Sequence, residues 1–337
     1  MNKMSKLAIH NRLHMRKFLV ASIILVFFYW GCDKITIPVK VTNTAQPTLP
    51  TSAPDHVTHT TDSTVKKVLL EDYMGHFCIN CPAAVTTSDA LLAGTNGSQI
   101  VLMEINTGLD ADTAGESTLV SVPPGLPDTA YKVNFKTVAG TAWDNTLVNT
   151  AALGWPQGMV DRVYNDALYD QDIQYSNWGT VIDSILTGPQ TAAITMIDSC
   201  WIKQQIFGTQ VTASLKNAPV AGSTYYLQLA LVEDTVNDWQ STPTVAQQYF
   251  THRFVLRSAI NGTWGTVLPF TAANQSITGY FSFSSPNFRY NSAPVTNPPP
   301  VPARLWNMAK CSIVAFVYQR TYGARDYLVL QAQVLHL

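Results

Sequence analysis

The sequence predicts an α/β domain over residues 65–188, followed by an all-β sandwich domain over residues 189–337. Before Pro189, short apolar strands alternate with stretches of helical periodicity, which is the pattern of an α/β domain. After Pro189, helical periodicity disappears, and strands of alternating apolar and polar residues follow at short spacing, as in a β-sandwich. A chain of 337 residues is also longer than one compact core usually needs.

The N-terminal segment 1–31 has the composition of a signal peptide. It carries five Lys and Arg residues and no acid, and its uncharged stretch Phe18–Gly31 is fourteen residues long. A membrane-spanning helix needs about 20 apolar residues, so this stretch fits the apolar region of a signal peptide better. The segment ends at Gly31-Cys32, which resembles the bacterial lipobox and predicts that Cys32 carries lipid. An ordinary buried cysteine is the alternative.

Residues 32–64 are rich in Thr and Pro and are predicted to form an extended tether, because they hold too few apolar side chains to order themselves. The whole chain has 21 Lys and Arg against 22 Asp and Glu, with no basic cluster outside the leader. This balance argues against a nucleic-acid partner. Sparse charge, with abundant Thr, Ser and Asn, predicts an exported protein.

The α/β domain begins with a βαβ unit. The run over 65–74 predicts a buried strand, a helix follows that ends near Gly94, and the run over 99–106 predicts a second strand. The two strands should be parallel, with a right-handed connection. Residues 109–145 are irregular and predict an insertion.

The remaining elements follow from the same kinds of pattern. A strand is predicted over 159–164 and an amphipathic helix over 176–186. In the sandwich domain, one apolar row runs through Leu227, Leu229 and Leu231. The stretches 311–320 and 326–337 predict a terminal hairpin.

The pair Cys78 and Cys81 carries the main chemical signal, because it lies where the first strand meets the first helix. Backbone N–H groups and the helix dipole at such a position favour a thiolate on the first cysteine, and the second lies within one turn of it. A closed zinc site needs four ligands, and only His76 lies near. Covalent haem needs a His after the second cysteine, where Pro82 stands. The sequence therefore predicts neither a metal nor a cofactor.

This arrangement resembles the thioredoxin superfamily. The resemblance implies that Asp72, six positions before the first cysteine, is a buried acid that moves protons to and from Cys81. It also implies that Pro156 is the cis-proline that faces the disulfide. Phe77 replaces the usual tryptophan, and Trp155 replaces a small or β-branched residue. A large indole at that place would obstruct the groove that receives the backbone of a substrate.

The wider chain resembles the outer membrane protein 28-related lipoproteins of Bacteroidetes. The resemblance rests on the signal that ends at Cys32 and on the runs 70–82, 154–162 and 252–258. It implies a lipoprotein anchored to the outer membrane, on its periplasmic or cell-surface face, with a thioredoxin-like domain and a β-sandwich.

Two functions remain open at this stage. In one, the thioredoxin-like domain is a scaffold and the β-sandwich binds a protein partner. In the other, the protein is an extracytoplasmic thiol–disulfide oxidoreductase with thiol clients, which requires Cys78 to be exposed and reactive and Cys81 to be buried. Cys200 and Cys311 lie on predicted strands, where they could either form a disulfide or remain buried thiols.

Overall fold

The computed structural model describes residues 60–116, 121–164, 171–201, 206–284, 288–289, 306–321 and 326–337, without the side chains of Cys200, Trp201, Phe288 and Arg289. The predicted signal peptide, Cys32 and most of the predicted tether lie outside these ranges. The described residues all belong to one compact unit. Its described part is mostly β-structure with few helices. In that part, no helix is long and apolar enough to cross a membrane.

The α-helices of the described residues are α1 (Cys81–Ala93), α2 (Val138–Trp143), α3 (Thr150–Leu153) and α4 (Trp178–Thr187). The strands are β1 (Val68–Met74), β2 (Ile100–Asn106), β3 (Gln157–Val160), β4 (Ala192–Trp201), β5 (Ile206–Leu215), β6 (Thr224–Glu233), β7 (Val236–Gln240), β8 (Gln247–His252), β9 (Val255–Ala259), β10 (Thr266–Leu268), β11 (Gln275–Ser284), β12 (Phe288–Arg289), β13 (Trp306–Asn307), β14 (Cys311–Arg320) and β15 (Leu328–His336).

A mixed sheet of eight strands organises the fold of the described residues. Its order is β15-β14-β6-β9-β2-β1-β3, with β10 also paired to β6. The predicted βαβ unit is present, since β1 and β2 are parallel and α1 connects them. Every residue of these two strands is buried, because the sheet is covered on both faces here.

The two predicted domains share this sheet. Strand β2 pairs with β9 at Glu104 and Val255, so the strands of residues 65–188 continue into those of residues 189–337. One face of the sheet carries a single core to which both stretches contribute. Members from the first stretch include Leu69, Tyr73 and Met103, and members from the second include Val232 and Phe316. The sequence patterns predict the strands, but they do not predict that β2 pairs with β9 or that the two stretches share a core.

The opposite face of the sheet is covered at two places. At the β1–β2 end, α1 and α4 pack on it through residues such as Ala84 and Ile182. At the β6–β14 end, a second sheet of order β11-β5-β4 packs on it, with Ile194 and Val211 against Leu229 and Ile313. The alternation in β5 places its apolar side chains in this core.

The predicted tether is docked at its C-terminal end. Thr60 forms an antiparallel bridge with Ile197 of β4, and the Thr61 amide donates to the Met196 carbonyl over 3.2 Å. Gln333 of β15 donates to the Asp62 carbonyl at 2.5 Å. Residues 60–64 therefore belong to the folded unit, because their backbone groups pair with those of the β-rich part.

Candidate functional site

Cys78 and Cys81 form a disulfide where the 75–80 loop enters α1, with their Cα atoms 5.5 Å apart. Helix α1 begins at Cys81, and Pro82 suits its first turn because proline lacks the N–H that would have no partner there. The Cys81 N–H donates to the Cys78 sulfur over 3.1 Å. This donor would stabilise a thiolate on Cys78 once the disulfide is reduced.

The Trp155–Pro156 peptide bond is cis, and it directly precedes β3, which pairs antiparallel with β1. Trp155 packs against the cluster that contains both cysteines. Its indole lies over Gly108, where a Cβ atom would stand 2.1 Å from Trp155 Cζ2. Gly108 also has a φ of +66°, so both the space and the backbone favour glycine. Trp155 thus packs against the disulfide, at the position where the thioredoxin pattern has a small or β-branched residue.

The disulfide is buried. Cys78 is 3% exposed and Cys81 is 0% exposed. An exposed Cys78, which the oxidoreductase hypothesis requires, is therefore not observed. The reason is a second cover that the sequence did not predict, the β7–β8 hairpin, whose strands pair antiparallel.

Direct contacts hold this hairpin over the disulfide loop. The Gln240 side chain donates to the Cys78 carbonyl over 2.8 Å and to the Gly75 carbonyl over 3.2 Å. The Ser241 N–H donates to the His76 carbonyl over 2.7 Å. Phe250 packs on the disulfide cluster itself. The hairpin therefore covers the loop that carries Cys78.

His76, the basic side chain nearest to the pair in sequence, has a structural role. It is 1% exposed, and its Nε2–H donates to the Asp112 carbonyl over 2.6 Å. Burial lowers the pKa of His76 to about 4, so the ring is neutral at pH 7. Its ring packs edge-on against Phe77 and Tyr131, which stack on each other. A neutral imidazole in this position cannot stabilise a thiolate on Cys78 by charge.

Asp72 lies on the sheet beneath the start of α1. On β1 it stands between Leu70, which packs in the core under α1 and α4, and Met74, which packs against both cysteines. Asp72 is 2% exposed, and among the described residues its Oδ1 has no hydrogen-bond partner. Burial raises the pKa of Asp72 well above its usual value, and the neighbouring Glu104 raises it further.

Glu104 is a further residue of the site, to which no sequence motif points. It stands opposite Asp72 in the parallel register of β2 and β1 and is also 2% exposed. Its carboxylate accepts hydrogen bonds from Asn106 Nδ2 over 2.7 Å, from His252 Nδ1 over 3.1 Å and from the Arg253 N–H over 3.1 Å. The available signal was a glutamate within the apolar run of β2, whereas the sequence carries no such signal for Gln240 and Phe250.

Of the two alternatives that the sequence leaves open for Cys200 and Cys311, the disulfide is not formed. Cys311 is a free thiol, 1% exposed, and burial raises its pKa strongly. It lies on β14 opposite Glu233 of β6, in the eight-stranded sheet, whereas Cys200 lies on β4 opposite Phe207, in the three-stranded sheet. In the described ranges, no group of three or more His, Cys, Asp or Glu side chains is placed to hold a metal ion.

No family model and no curated protein matches this chain. Among solved structures, the fold is similar to that of HBP35 of Porphyromonas gingivalis, with a TM-score of 0.58 and 14% sequence identity. The match covers 81% of this chain and 76% of that one. At this identity, the likeness shows a common fold alone.

Proposed function

We propose that this protein is an outer-membrane lipoprotein with a thioredoxin-like scaffold, whose β-sandwich binds a protein partner at the cell surface or in the periplasm. The single observation that carries the scaffold role is the burial of the disulfide, with Cys78 only 3% exposed. A disulfide beneath both Trp155 and the β7–β8 hairpin is protected from the thiolates of other proteins, because exchange requires in-line access to a sulfur atom.

The envelope location is supported by the sequence of residues 1–32, with its basic leader, its apolar stretch and Gly31-Cys32. Membership of the outer membrane protein 28-related family is part of the same proposal. Lipid on Cys32 would anchor the chain, and the tether would end where Thr60 joins β4. The β-rich part would then lie at the end of a tether of about 30 residues, within reach of partners near the membrane.

Thiol–disulfide exchange is the second candidate function, and Asp72 specifically favours it. A buried carboxyl with an unpaired oxygen is costly to keep, and Asp72 lies on β1 two residues before Met74, which packs against both cysteines. A disulfide with only a structural role does not require a buried carboxyl beside it. Under this hypothesis the hairpin would open before a client binds.

Trapping of mixed disulfides separates the two functions. In a Cys81→Ala variant of the full chain, Cys78 could attack a client but the bond could not be resolved. For a scaffold we expect no client to be trapped in the envelope of producing cells, as judged by non-reducing electrophoresis and mass spectrometry. The matched control is the Cys78→Ala/Cys81→Ala double variant. A set of proteins that is bound to Cys81→Ala but not to the double variant would support the oxidoreductase instead.

A further inference from the structure

Two buried acids lie side by side behind the disulfide. Asp72 of β1 and Glu104 of β2 are direct partners in the parallel register, so their side chains leave the sheet on the same face. That face is the one covered by α1, since Leu70 and Leu102 pack there together with Ala84. Each acid is only 2% exposed.

The two carboxyls have unequal surroundings. Glu104 accepts three hydrogen bonds, from Asn106, His252 and the backbone of Arg253, which stabilise its charged form. Asp72 Oδ1 accepts none from the described residues. Two adjacent buried carboxylates repel each other strongly, so a pair of this kind keeps one proton, and it stays on the group with fewer donors.

We propose that Glu104 is a positioning residue that keeps the shared proton on Asp72, where it is held ready for the Cys81 sulfur when the disulfide is reduced. The inference goes beyond the proposed function, because it concerns the disulfide–dithiol equilibrium of the protein itself and needs no client. It also assigns a role to His252 and Asn106, whose hydrogen bonds hold the Glu104 carboxylate in place.

The chemistry balances with a dithiol such as dithiothreitol as the reductant. Its thiolate attacks the Cys78 sulfur, the Cys78–Cys81 bond breaks, and the electron pair goes to Cys81, which takes the proton from Asp72. The Asp72 carboxylate, now beside that of Glu104, regains a proton from solvent. The second thiol of the reductant, as a thiolate, attacks the mixed disulfide and closes the reductant's own disulfide. This step releases Cys78 as a thiolate. The thiolate accepts a hydrogen bond from the Cys81 N–H and is protonated by solvent when the pH is below its pKa.

Other titratable groups around the pair do not replace Glu104 in this role. His76 is neutral, with its Nε2–H committed to the Asp112 carbonyl. The Arg253 side chain is paired with Asp89 and Asp234. On β3, the residue opposite Asp72 is Gly158, whose N–H is bound by Asp172. Helix α1 carries Asp89, which is paired with Arg253, and Cys81, the proposed proton acceptor.

The test is the pH dependence of the equilibrium between the full-length protein and dithiothreitol, read between pH 5 and 9 by acid quench, alkylation and mass spectrometry. The slope of this equilibrium against pH changes at the pKa of Asp72, and we call that change the Asp72 break. In Glu104→Gln we expect the Asp72 break to move down by about one pH unit or more, because the neighbouring negative charge is lost. In Asp72→Asn this break should disappear. The matched control, Glu116→Gln, removes a carboxylate that is 38% exposed and should leave the profile unchanged.

The same break in the wild type and in Glu104→Gln would overturn the proposal, as would its persistence in Asp72→Asn. If Glu104→Gln does not fold, a carbon-13 NMR titration of the wild-type carboxyl groups decides the matter. A protonated Asp72 at pH 7 in the oxidised protein supports the proposal, and two ionised carboxylates at positions 72 and 104 refute it. Because dithiothreitol is the only partner, this result is independent of whether clients are trapped.

Discussion

Arg162→Met is expected to lower the free energy of unfolding by about 3–5 kcal/mol, because it leaves a buried carboxylate without its partner. Arg162 is 1% exposed and binds Glu71, which is 0% exposed, through two hydrogen bonds of 2.7 Å each. Its guanidinium lies over the rings of Phe316 and Tyr318, at 5.0 and 5.7 Å from their centres. The pair therefore joins the β1–β3 end of the sheet to β14. Urea unfolding monitored by circular dichroism measures the loss.

Two further variants identify the cause of that loss. The double variant Glu71→Leu/Arg162→Met should recover part of the stability, since it removes both charges together. Arg253→Met breaks ion pairs of a side chain that is 30% exposed and should cost about 1 kcal/mol or less per pair. Equal decreases in the free energy of unfolding for Arg162→Met and Arg253→Met would show that the buried Glu71–Arg162 pair stabilises the protein no more than an exposed ion pair does.

Residues 189–337 expressed alone are expected not to form a stable, cooperatively unfolding domain. In the full chain, Val232 and Phe316 are buried in a core shared with Leu69, Tyr73 and Met103. Without the first stretch, these side chains would form an exposed apolar patch on the sheet. Backbone bonds would also be lost, such as that from the Val329 N–H to the Asp161 carbonyl at 2.9 Å.

The fragment is compared with a chain of residues 60–337 by urea unfolding and by binding of a hydrophobic dye. We expect the longer chain to unfold in one transition and the fragment to bind dye and show no sharp transition. A fragment with the same midpoint as the longer chain would contradict the shared core and support a separate sandwich domain over residues 189–337.

Local patterns predicted the individual elements well. The terminal hairpin predicted over 311–320 and 326–337 corresponds to β14 and β15, and the helix predicted over 176–186 corresponds to α4. The strand predicted over 159–164 ends early, at Val160. Asp161 and Arg162 cause this, because their φ angles of +47° and +53° are incompatible with a strand.

The residues of the candidate site could be predicted from the sequence where they lie close together in the chain. Asp72, Cys78 and Cys81 follow from one strand–helix junction, and Pro156 follows from the strand after it. Glu104 and the β7–β8 hairpin required pairings between distant parts of the chain, such as that of Gln240 with Cys78, 162 residues apart. Such contacts depend on how the sheet is assembled, which periodicity along the chain does not report.

The rate at which dithiothreitol reduces the oxidised full-length protein tests most directly whether the hairpin seals the disulfide. Phe250→Ala removes a ring that packs on the cysteine cluster, whereas Tyr249→Ala removes the neighbouring side chain, which is 57% exposed. We expect the disulfide of Phe250→Ala to be reduced about tenfold faster than that of the wild type. This factor corresponds to a decrease of about 1.4 kcal/mol in the free energy needed to open the hairpin. Tyr249→Ala should react at the wild-type rate. If the wild type is reduced as fast as the urea-unfolded chain, and Phe250→Ala no faster, the disulfide is not sealed and the scaffold role is contradicted.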